Sequence, residues 1–181
     1  MKIQTEIRLK NGEKALLREA RPEDAPATIA LRQAASWETG FMARICEEIP
    51  TSLERERDRL IACLENPRAL ELAAFLDGEL VGLAGLTPQS LTEKRKHRAS
   101  FGVAVLKKAW GLGIGRALLK TCEGCARAAG YELMELDVVG QNTRARSLYE
   151  KAGYQTYGEN PKAFRLRDGS YQSLVLMQKE L

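Results

Sequence analysis

Apolar and polar residues alternate on both sides of Asn11-Gly12, across residues 5–18. That alternation, with Asn-Gly between the two runs, predicts a β-hairpin. Arg21-Pro22-Glu23-Asp24 reads as a helix start with acids in its first turn, and Ile29, Leu31 and Trp37 then recur at helical spacing. No period is legible between Glu38 and Pro50. Thr51 or Ser52 caps a charged helix ending at Leu64, with Leu53, Leu60, Ile61 and Leu64 on one side. Trp37 and these leucine and isoleucine positions are read as core. Residues 72–76 and 80–86 are apolar runs joined by Asp77-Gly78, an antiparallel pair, and residues 100–106 form a further strand. A glycine-rich turn, residues 110–115, leads into a long helix over 116–129, ended by Gly130. A strand over 133–139, a short helix over 143–152 closed by Gly153, and two strands around Asp168-Gly169 complete the chain. The order of elements predicts a mixed α/β domain with one parallel crossover.

Composition narrows the class. The 181 residues suit one domain, expected to span 1–181, with 44% apolar residues. No apolar run approaches the roughly 20 residues that span a bilayer. The opening Met1-Lys2-Ile3-Gln4-Thr5-Glu6 alternates and does not read as a secretory signal, so a cytoplasmic location is expected. The net charge of +4, with basic residues scattered among 24 acidic ones, is not the footprint of a nucleic-acid binder. It does allow a local basic pocket for a phosphorylated small molecule. Cys122 and Cys125 form C-x-x-C, but inside a helix and without a second pair of ligands. They read as core or surface thiols, and no metal is expected.

Gly111, Gly113 and Gly115 lie between a strand and a helix. Glycines there let the backbone approach a ligand, and a helix N-terminus offers unpaired N–H donors, so the natural guest is a phosphate or pyrophosphate. Arg116, Lys107, Lys108 and Lys120 add positive charge nearby. The dinucleotide fingerprint fails because Gly115 follows Gly113 by two residues, and Gly115-Arg116-Ala117 does not supply the Walker pattern.

A second cluster follows. Val103-Ala104-Val105, then residues 110–119 (WGLGIGRALL), then Asn142 and Ala145, then residues 148–154 (LYEKAGY) occur in that order. This ensemble resembles the GNAT superfamily of N-acetyltransferases, most strongly over residues 97–158. The resemblance implies an α/β (α+β) acyl-CoA N-acyltransferase domain, its mostly antiparallel sheet carrying a central splayed parallel pair flanked by helices. It implies acetyl-CoA as co-substrate. Gly111, Leu112, Gly113, Ile114, Gly115 and Arg116 would cradle the pyrophosphate. Val103, Ala104 and Val105 would pair with the pantetheine arm, and Asn142 would contact the cofactor. Tyr149 would sit by the sulfur as general acid. An amine would attack the thioester carbonyl directly, with a backbone N–H near Val105 stabilising the oxyanion.

Two positions depart from that pattern. Trp110 stands where relatives often carry Arg or Gln, and Ser100 stands where many carry a Glu that helps deprotonate the amine. The base is therefore sought among His97, Asp137 and Glu135, with a water relay as the alternative. His97 lies in a charged run that reads as a solvated loop, and Asp137 is placed on the face opposite Leu136 and Val138. Glu38, Phe41 and Met42 fall where the family's acceptor pocket commonly lies. The expected partner is a small-molecule amine. Protein acetylation, a non-catalytic acyl-CoA sensor and a nucleotide-binding protein are the rivals. Dimers are common in such folds, so a homodimer is compatible, although no interface is legible.

Overall fold

The computed structural model describes residues 3–181, so the Met1-Lys2 part of the opening lies outside the described residues. The elements are β1 (Gln4–Arg8), β2 (Lys14–Glu19), α1 (Ala25–Thr39), α2 (Leu53–Glu65), β3 (Leu70–Leu76), β4 (Glu79–Pro88), β5 (Arg98–Val105), α3 (Ile114–Ala128), β6 (Leu133–Val139), α4 (Thr143–Lys151), β7 (Gln155–Arg165) and β8 (Tyr171–Glu180). The turn residues act as read. Gly12, Gly78, Gly130 and Gly153 all take positive φ, and the Ser52 side chain accepts from Arg55 N to cap α2.

All eight strands form one sheet in the order β1-β2-β3-β4-β5-β6-β8-β7. Every neighbouring pair is antiparallel except β5 and β6. Strand alternation separates the two faces. On one face, Leu72, Ala84, Leu86, Phe101, Leu136 and Val138 join the core that holds Ile114, Leu118 and Tyr149 of α3 and α4. On the other, Ala73, Leu83 and Ala104 pack with Leu31 and Ala35 of α1 and Leu60 of α2. Gly82 brings α3 close to β4, because a Cβ there would lie 3.1 Å from Leu118 and 3.2 Å from Ile114.

Two core expectations need correction. Trp37 is 82% exposed, and in α2 only Leu60 is fully buried, while Leu53, Ile61 and Leu64 are about 40% exposed. The helix forms as the period predicts, but α1 packs on the sheet through Ala25, Leu31 and Ala35, while Thr28 bonds to Glu56 of α2. Trp37 falls outside that stripe.

Candidate active site in the splay of the sheet

The parallel pair is only three residues long: Arg98, Ala99 and Ser100 of β5 against Leu133, Met134 and Glu135 of β6. Beyond that point the strands part, although β5 stays paired to β4 through Val105 and β6 to β8 through Val139. The hydrogen bonds Gln89 N to Arg98 O and Leu106 N to Val81 O fix which β5 groups face β4. By the antiparallel alternation these are the even-numbered residues. The N–H and C=O of Phe101, Val103 and Val105 therefore point into the gap. The Trp110 indole uses one of them, donating to Val105 O at 2.7 Å. Ala104 turns its backbone to β4 and offers the cleft only its side chain.

A cleft of about 1460 Å³ runs through this gap from one face of the sheet to the other. Its α3 end is the glycine turn. Gly111 and Gly113 have φ of 81° and 102°, a region open to glycine. The first bond of α3 runs from Ala117 N to Gly113 O. No N–H from Gly111 to Arg116 has a partner among the described residues, and of these six residues all but Leu112 line the cleft. Around them stand Lys10, Arg116, Lys120, Arg144 and Lys151. Lys10 was not singled out from sequence; its N–H bonds to Leu112 O and carries its side chain to the turn. Lys107 and Lys108 do not line the cleft, and Lys108 pairs with Glu79. Arg144 lies 4.9 Å over the Trp110 ring, so Trp110 contributes packing and a backbone tie. Arg116 and this basic rim, with the open N–H groups, fit a pyrophosphate; the open β5 edge fits a chain carrying amides.

Asn142 caps α4, accepting from Ala145 N at 3.1 Å, and lines the cleft. Tyr149 projects from α4, buried, edge-on to Phe101 at 6.4 Å and 5.8 Å from the Tyr154 ring. Its hydroxyl makes no hydrogen bond among the described residues, and burial pushes its pKa well above the ordinary phenol value. The phenol is therefore neutral at pH 7.

Across the sheet, Asp137 stands on the α1 face, opposite Leu136 and Val138 as expected, and lines the cleft. Burial, then the Glu135 charge, raises its pKa, and it has no cationic partner among the described residues. The other two candidates are placed differently. Glu135 is buried and held by Arg98 through bonds of 2.8 and 2.6 Å. His97 does not reach the cleft. Phe41 and Met42 line the α1 end, whereas Glu38 is used elsewhere, accepting from Lys107 N at 2.8 Å.

Sequence reading missed Arg32, Glu71, Phe164 and Leu174, which also line the α1 end. Arg32 donates to Glu56 and Glu71 at 2.6 and 2.5 Å, and Arg59 binds the same two carboxylates. A signal was present: Arg32 is the lone charge in an otherwise uncharged stretch of α1, and Glu71 the lone charge in β3.

Residues 30–154 match the model of the acetyltransferase (GNAT) family. The chain is 32% identical over 143 residues to an aminoalkylphosphonate N-acetyltransferase of Salmonella typhimurium, covering 75% of this chain and 90% of that one. Its fold is similar to that of a GNAT-family acetyltransferase of Streptococcus pneumoniae, with TM-score 0.87, 27% identity, and 92% and 99% of the two chains covered. It is also similar in fold to a Salmonella typhimurium protein solved with its cofactor acetyl-CoA, with TM-score 0.80, 20% identity, and 91% and 92% covered. The splayed pair, the glycine turn and the family match agree, and the chain belongs to the acetyltransferase (GNAT) family.

Proposed function

We propose that the protein transfers an acetyl group from acetyl-CoA directly to the primary amine of a small molecule. The observation that carries this reading is the through-going cleft: open N–H donors and cations at one end, an unpaired strand edge in the middle, and an acid and a base on opposite faces of the sheet. Acetyl-CoA supplies the activated carbonyl. Residues 111–116 hold its pyrophosphate, Val103 and the neighbouring β5 edge pair with its amide-bearing arm, and the side-chain amide of Asn142 faces the same channel. Asp137, its pKa raised, takes a proton from the incoming ammonium. The free amine forms the new C–N bond, and an open N–H of the β5 edge level with Tyr149 and Asp137, at Phe101 or Val103, faces the oxygen that gains charge. Tyr149 donates its proton to the sulfur as the C–S bond breaks. Transfer from so weak an acid to a free thiolate in water would run uphill, since an ordinary thiol has a pKa of about 8.5. The dry wall around Tyr149 disfavours the thiolate too, so breaking of the C–S bond and protonation go together. The nitrogen gives up its second proton to solvent water as the adduct collapses to the amide. Solvent reprotonates Tyr149 and takes the first proton from Asp137, so one proton is released per amide formed.

A thiol-release assay with a panel of amines, run beside acetyl-CoA calorimetry, tests this. Thiol release that depends on an amine is the expected result. Acetyl-CoA binding without release across the panel would instead favour a sensor.

A further inference from the structure

The α1 end of the cleft has an uneven chemistry. Phe41, Met42, Phe164 and Leu174 make its outer wall apolar. The Leu83, Gly85 and Gly102 positions of β4 and β5 give it a small, uncharged floor. Asp137 contributes a carboxylate with no cationic partner among the described residues. Among the described residues, the unpaired cations of the cleft stand at the other end, around the glycine turn.

One cation does line the acceptor end. Arg32 is bonded to Glu56 and to Glu71, both largely buried, and Arg59 binds those same carboxylates. Two guanidinium groups against two carboxylates leave no charge over. An anion arriving at Arg32 would have to displace a carboxylate already seated there and would then face its repulsion.

Resting on the transferase reading above, we infer that the acceptor is an amine on an uncharged apolar body, alkyl or aryl, and not a zwitterion bearing a carboxylate or phosphonate. Asp137 receives the ammonium, the apolar wall receives the body, and among the described residues no cation lining this end is free to receive an anion. This separates the chain from the aminoalkylphosphonate specificity carried in the name of its Salmonella typhimurium relative.

The test compares phenethylamine with phenylalanine, which adds only a carboxylate, and with aminoethylphosphonate. Thiol release should favour phenethylamine over either zwitterion by about tenfold or more in kcat/KM. Equal or reversed preference overturns the inference. If acetyl-CoA binds but no amine is acetylated, the transferase reading fails by itself. The inference then stands or falls on calorimetry of the same compounds with the CoA-saturated protein. Tighter binding of phenethylamine upholds it; equal, reversed or absent binding overturns it. Met42→Arg, on the loop wall, should move the preference toward phenylalanine.

Discussion

Glu56 lies at the centre of the charged cluster beneath the acceptor end, and replacing it with Gln tests the cluster quantitatively. Burial opposes its charge, but hydrogen bonds from Arg59, Arg32 and Thr28 outweigh that and hold its pKa at about 2, against an ordinary 4.5. At about 1.4 kcal/mol per pH unit, the charged form contributes about 3 kcal/mol to folding. Because the folded value lies below the unfolded one, that contribution is complete above pH 4.5 and is lost as pH falls toward 2. At pH 7, Glu56→Gln should therefore lose about 3 kcal/mol in urea unfolding and about 6–12 °C in Tm. The gap between variant and parent should narrow once the pH drops below 4.5. A loss under about 0.5 kcal/mol at pH 7, typical of an exposed pair, would refute the reasoning. So would a gap that stays constant down to pH 3.

Other substitutions separate the roles at the splay. Tyr149→Phe should lower kcat by about 100-fold while leaving the acetyl-CoA Kd nearly unchanged by calorimetry; equal losses in both would assign Tyr149 to binding. Asp137→Asn should lower kcat/KM by about 10- to 100-fold. It should also remove the part of the acidic limb of the pH profile that reflects protonation of Asp137, whose pKa burial raises. Gly113→Ala, at φ 102°, should weaken acetyl-CoA binding by about tenfold, equivalent to about 1–2 kcal/mol of backbone strain, read by calorimetry.

Much of the fold is legible locally because turns are local chemistry. Asn11-Gly12, Asp77-Gly78 and the helix-ending Gly130 and Gly153 each mark a change of direction through the conformation that position needs. The site motifs around residues 111–116 and 142–149 are equally local, being a loop and a helix start. What escaped depends on partners far along the chain. Arg32 and Glu71 are 39 residues apart, so neither shows its ion pair to a sequence window. The point at which β5 leaves β6 is set by β4 and β8 continuing to hold their own neighbours. Burial of Trp37 was misjudged for the same reason: the period gives a stripe, but only the partner surface decides where the stripe ends. Choosing Asp137 over Glu135 required seeing Arg98 close on Glu135.

The parting of β5 from β6 gives the sheet a third border, set inside the molecule between two strands that are each fully paired on their other side. Outer borders are where sheets recruit additional chains, and this inner one is shielded from such recruitment by α3 and α4 on one face and α1 on the other. Under the proposed function, a ligand with a ladder of amides would complete the sheet as a missing strand does. Occupancy and folding would then be one equilibrium: at a hundredfold excess over Kd, acetyl-CoA would add about 2.7 kcal/mol to stability. The protein's resistance to heat and proteases would rise with acetyl-CoA concentration, as a shift in Tm would show.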